Sequence, residues 1–140
     1  MNLQELIKLQ IDKANSLFSE KDNAEREIKQ TFNTIKDFMP NEIEFIYKEE
    51  FDNYGDIVTT IYASNPSIEN QYILLTYDFD NKSIFPLKIS IFDGENWLCQ
   101  CLKDVKSVLR EIVSKDDFMV RLISISKEKG DLIDFDDIPF

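Results

Sequence analysis

The sequence predicts an α+β domain: a long N-terminal helix or helical hairpin, an antiparallel meander of four to five strands, two C-terminal helices and a disordered acidic tail. Three observations lead there. Apolar residues recur at helical spacing from about Asn2 to Phe38 and again after Lys103. Between them lie short β-rich runs whose connections are too short for crossover helices. After Gly130, ten residues hold four aspartates and no basic group. The domain is drawn at 1–129 and the flexible acidic docking tail at 130–140.

In the first segment, Leu3, Ile7, Ala14, Leu17, Ala24, Ile28, Ile35 and Phe38 fall on one seam of alternating three- and four-residue steps. Gln10, Lys21 and Thr31 interrupt that seam. Ser19 to Asn23 is polar, so a break with Asp22 or Asn23 capping a second helix is one reading. Pro40 enforces the end, because the residue before a proline avoids helical angles. An unbroken helix would span roughly 50 Å, more than the rest of the chain covers. Either it pairs with a second copy as a homodimeric coiled coil, or it folds into a hairpin.

Ile43, Phe45 and Tyr47 open the β region, and Asp52 to Asp56 makes a turn. Ile57 to Ala63 is β-branched and Asn65-Pro66-Ser67 is a loop. Gln71 to Asp78 reads as a central strand, with Tyr72, Leu74 and Thr76 on one face and Ile73, Leu75 and Tyr77 on the other. Both faces are apolar, which predicts cover by helices on one side and partial cover on the other. Ile84 to Phe92 follows, with Pro86 at its start or on an edge. Asp93-Gly94-Glu95-Asn96 turns into a short strand from Trp97 to Cys101. Val105, Val108, Leu109 and Ile112 then share a helical face. Ser114 to Asp117 breaks it. Phe118, Leu122 and Ile125 form the next face, with Val120 or Met119 alongside, and Gly130 stops the helix.

Composition narrows the function. The net charge is −11, from 27 acidic and 16 basic residues. Such a surface repels phosphate backbones, and no lysine or arginine run builds a local basic patch, so direct nucleic-acid binding is not expected. Without histidine, catalytic triads and metalloprotease motifs are absent. Cys99 and Cys101 sit at i and i+2, a poor disulfide pair, and are expected as reduced, buried or half-buried thiols. Trp97 beside them is expected in the core or on its rim. Asp78, Asp80, Asp93 and Glu95 gather at turns and could hold a divalent cation, although no EF-hand spacing exists. No metal, cofactor or enzymatic activity is predicted. The N-terminus has no basic region before an apolar run, and no run approaches the roughly 18 residues of a membrane span. A cytoplasmic protein with no membrane association is expected.

The informative segment is Asp134-Phe135-Asp136-Asp137-Ile138-Pro139-Phe140. Its apolar residues serve no purpose in a tail that only confers solubility. A terminal phenylalanine offers a ring and an α-carboxylate on one residue, which an apolar pocket with an arginine or lysine at its mouth can hold together. Pro139 stiffens the backbone before that anchor. Asp136 and Asp137 can meet a basic rim.

This string resembles the acidic docking tip of bacterial single-stranded DNA-binding proteins. The resemblance implies Phe140 as anchor, Ile138 and Pro139 as the wedge beside it, and Asp136 and Asp137 as acidic contacts, with Asp134 and Phe135 leading in. It implies partners such as exonuclease I, a recombination mediator or the primosomal helicase. It covers seven residues. The body does not resemble the OB-fold of that family, and the usual glycine- and glutamine-rich linker is absent.

The leading expectation is a binding protein that displays a copy of the tip to inhibit or recruit repair and replication proteins. Small acidic chains rich in lysine and isoleucine suit a phage or mobile-element origin. The competing expectations are an acidic DNA mimic that blocks a nuclease or restriction system, and an immunity protein against a basic toxin.

Overall fold

The computed structural model describes residues 1–128. Helix α1 (Leu3–Phe38) leads into strands β1 (Glu44–Phe51), β2 (Ile57–Ser64), β3 (Gln71–Asp80), β4 (Ile84–Ile91) and β5 (Asn96–Cys99), then helices α2 (Leu102–Val113) and α3 (Asp116–Ser126). The strands form one antiparallel sheet in the order β1-β2-β3-β4-β5. The expected α+β meander is therefore the fold.

Helix α1 is continuous over 36 residues. The polar stretch Ser19–Asn23 does not break it, since it contains neither proline nor glycine and each of its residues is tolerated inside a helix. Asn23 caps nothing; its side chain accepts from Arg26 at 3.0 Å. The true cap is Asn2, whose side-chain oxygen accepts the Glu5 amide at 2.8 Å. At about 1.5 Å per residue the helix is about 54 Å long.

Its C-terminal half packs on the body through Ala24, Ile28 and Phe32, with Ile35 and, from the other half, Leu17 partly buried against the same core. Phe32 was not on the predicted seam, and Phe38, which was, is 85% exposed. The physical reason is period. An α-helix turns every 3.6 residues, so a strict seven-residue seam drifts around it by about 20° per heptad. The buried line steps 24, 28, 32 and leaves Phe38 behind.

Helices α1, α2 and α3 all lie on one face of the sheet, with α2 against β5, α3 against β2 and α1 against β4. Val105, Val108, Leu109 and Ile112 of α2 are buried, as are Phe118, Leu122 and Ile125 of α3. Of the two flanking candidates on α3, Met119 packs against the core while Val120 is exposed. Phe32 joins the layers: its ring meets Phe45 of β1 edge-on at 5.0 Å and Phe118 of α3 at 6.5 Å. Phe92 stacks on the other side of Phe118 at 6.3 Å.

Strand β3 corrects the expectation of two apolar faces. Its pairing with β2 jumps from Ile61↔Leu75 to Tyr62↔Ile73, leaving Leu74 as an extra residue. Such a bulge shifts the side-chain alternation by one position. Leu74, Leu75 and Tyr77 are therefore all buried, and Tyr72 and Phe79 pack against the same core, while Ile73 is exposed. The two apolar sets are one face read through a change of phase. Among the described residues no helix packs on the opposite face, which carries polar contacts such as Lys48 to Gln71 at 2.8 Å and Lys48 over the Tyr62 ring at 4.9 Å.

Pro86 lies inside β4, at a second irregularity where pairing jumps from Phe79↔Leu87 to Asp80↔Ile84. It is the third residue of the strand and lies on a local edge, because β5 begins pairing only at Leu87; on the β3 side the bulge spares the ladder a missing donor. Ile84 takes a positive φ of 71° there, unusual for a β-branched residue. In the turns, Gly55 and Gly94 supply positive φ values of 82° and 92°.

Phe32→Ala should lower unfolding free energy by about 3–5 kcal/mol, as truncation of a fully buried aromatic does. Phe38→Ala should change it by no more than about 0.5 kcal/mol. Urea denaturation followed by far-ultraviolet circular dichroism measures both.

Candidate functional site

The residues of the predicted docking tip, Asp134, Phe135, Asp136, Asp137, Ile138, Pro139 and Phe140, lie outside the described residues, as does the boundary drawn at 129. The last described residues, up to Glu128, form a defined site of their own.

Helix α3 ends at Ser126 with Lys127 as its C-cap. Its last carbonyls, left without helical partners, converge on one side chain. The Asn65 amide donates to the carbonyls of Ile125 (3.4 Å), Ser126 (3.0 Å) and Glu128 (2.7 Å). Asn65 is itself buried in the β2–β3 loop, and its side-chain oxygen accepts the Ser67 amide at 2.9 Å. The sequence flagged Asn65-Pro66-Ser67 only as a loop; the capping of a helix some sixty residues away is a tertiary contact with no local signal.

Glu128 is held a second time, by a short hydrogen bond from the Tyr72 hydroxyl to its carboxylate. That bond and burial raise the Tyr72 pKa above its ordinary value. Beside it the Arg121 guanidinium lies over the Phe92 ring at 4.7 Å and the Tyr72 ring at 5.8 Å. Glu128, the last described residue, is thus clamped on the β3 side of α3.

A groove of about 690 Å³ runs between the C-terminal half of α1 and helices α2 and α3. Ile35, Met39, Leu109, Val113 and Ile123 give it apolar walls, and Lys106 and Arg110 stand on its rim with Glu27. Its lining thus combines apolar walls with two cations and one carboxylate. Its walls come from three helices, so no single stretch of sequence announced it.

The turn carboxylates do not converge. Asp80 pairs with Ile84 at the start of β4 and Asp78 with Lys88 in its middle, while Asp93 and Glu95 follow its far end; eight extended residues put about 26 Å between Asp80 and that end. Each has a local task. Asp80 accepts the Lys82 and Ser83 amides at 2.9 and 3.0 Å, which hold its pKa below the ordinary value. Burial raises that of Asp78, with Lys88 pulling against it. Asp93 accepts the Glu95 amide at 2.9 Å, and Glu95 pairs with Lys115 at 2.7 Å. Among the described residues no group of three or more His, Cys, Asp or Glu could hold a metal ion. Nor is any described helix long and apolar enough to cross a membrane.

Cys99 is buried and Cys101 half-buried, and both are free thiols. Trp97 is partly buried against the core. Burial pushes the Cys99 thiol from 9.0 up to about 11, and the Tyr47 and Tyr77 phenols from 10.0 up to about 12. Comparison with known protein families, curated proteins and solved structures finds no match to this chain.

Raised pKa values mean that the folded state holds these protons more tightly than the unfolded chain. Stability from these groups is complete below pH 9.0 and falls as pH rises toward about 11 to 12. A pH series of urea midpoints should fall across that alkaline window. At pH 8, a thiol reagent should label Cys101 readily and Cys99 only on unfolding, read as two phases in the release of the reagent's chromophore.

Proposed function

We propose that this chain is a non-enzymatic binding protein of DNA metabolism. Residues 134–140 stand in for the tip of single-stranded DNA-binding protein and engage or inhibit repair or replication proteins. The observation that carries the reading is the string Asp134-Phe135-Asp136-Asp137-Ile138-Pro139-Phe140. The reading takes Phe140 as the residue that bears the free α-carboxylate.

The physics of docking follows from that string. The Phe140 ring enters an apolar socket while its carboxylate meets an arginine or lysine at the mouth. Pro139 lessens the entropy lost on binding, and Asp136 and Asp137 raise the encounter rate with a basic rim. The body supports the reading in two ways. Its net charge of −11 disfavours phosphate and favours a basic partner. The clamp at Glu128 fixes the root of the remaining twelve residues, which can reach at most about 40 Å from it.

The partners expected are proteins that read the natural tip: exonuclease I, a recombination mediator or the primosomal helicase. Affinity capture from a bacterial lysate should recover at least one of them with the intact chain and none with a chain lacking Ile138–Phe140. With purified exonuclease I, deleting Phe140 should weaken binding by at least about 30-fold, the loss of one anchor residue. Unchanged capture after the deletion would sink the proposal and favour an acidic body that mimics DNA or neutralises a basic toxin. In filter binding at physiological salt, single-stranded DNA should show no retention by the intact protein.

A further inference from the structure

The N-terminal half of α1 carries an apolar stripe that, before Leu17, nothing among the described residues covers. Leu3, Leu6 and Ile7 are between 44% and 72% exposed, in a helix whose later turns are buried at Ala24, Ile28 and Phe32. The stripe continues the buried line. Leu6, Gln10 and Ala14 each precede Ala24, Ile28 and Phe32 by eighteen residues, or five whole turns at about 3.6 residues each. The same side of the same helix is thus sealed by the body over one half and bare over the other.

From this continuity we infer that the chain forms a two-fold homodimer in which residues 3–18 of two copies pack antiparallel along this stripe. Charge favours a second copy as occupant. Glu5 and Asp12 balance Lys8 and Lys13, so the segment is neutral in a chain of net charge −11. The bodies would repel each other; these helical arms do not.

Geometry fixes the direction. The stripe faces the side on which the body sits. A parallel partner would therefore drive its body into the space already filled by the first. An antiparallel partner meets no such clash: its body lies beyond Leu3 of the first copy, and each arm's tip reaches the other's body. This arrangement is isologous and closes on itself. It sets Leu3 near the partner's Leu17 and large Ile7 against small Ala14. Gln10, the one polar residue on the line, falls opposite itself at the axis, where a paired amide fixes register.

Analytical ultracentrifugation of the full chain should give twice the 16.5 kDa monomer mass at micromolar concentration. Ile7→Glu should weaken self-association by at least about 100-fold, because it buries a charge in the contact. Leu9→Glu, about 100° around the helix from the Leu6–Gln10–Ala14 line, should weaken it far less. All of these positions are exposed, so circular dichroism should report the same fold in each variant. With Cys101 changed to Ser, Gln10→Cys should oxidise to a covalent dimer and Leu3→Cys should not. A monomeric wild type overturns the inference, as does crosslinking through Leu3→Cys instead of Gln10→Cys, or equal loss of dimer in the Ile7 and Leu9 variants.

Discussion

A five-stranded sheet with one apolar face needs a lid, and three helices share the task. Phe32 is where they meet, touching Phe45 of the sheet and Phe118 of α3. The position of that ring explains much else. It sets which turns of α1 are sealed, how far the rest of the helix projects, and where α3 lies. The end of α3 then places Glu128, the root of the remaining chain, against Asn65 and Tyr72.

The sheet meets this lid through two irregularities. The bulge at Leu74 turns β3 so that Leu74 and Leu75 both enter the core. The jump between Phe79 and Asp80 lets an interior strand carry Pro86. Both devices change the phase of a strand without breaking the meander. They also keep the aromatic residues Tyr77, Phe79 and Phe85 in edge-on contact at about 6 Å, a favoured ring geometry.

Charge divides the molecule into regions with different prospects. The chain as a whole is strongly acidic, yet residues 3–18 are neutral and apolar on one side. The proposed dimer and the proposed docking tip therefore use opposite physics. One hides apolar surface where like charge is absent. The other offers negative charge and one ring to a cationic socket. Two copies would present two tips, so a partner with two sockets would gain from effective concentration.

Element order, strand number and the end of α1 were legible in the sequence because they depend on local signals, whereas α3 ends at Ser126, short of the expected stop at Gly130. Examples are Pro40 as a stop, Asp52 and Gly55 in a turn, and apolar spacing in α2; the Asn2 cap was not among them. The candidate tip at 134–140 rests on its resemblance to the docking tip of single-stranded DNA-binding proteins, and it remains a sequence argument because those residues lie outside the described structure. Tertiary structure alone decided that α1 is a single projecting helix, that Phe32 and not Phe38 seals it, and that β3 has one buried face. It also decided that the turn carboxylates stand apart and that Asn65 caps α3. These outcomes rest on contacts between residues far apart in the chain, where small differences of phase, 3.6 against 3.5 or one residue at a bulge, determine which side chain arrives.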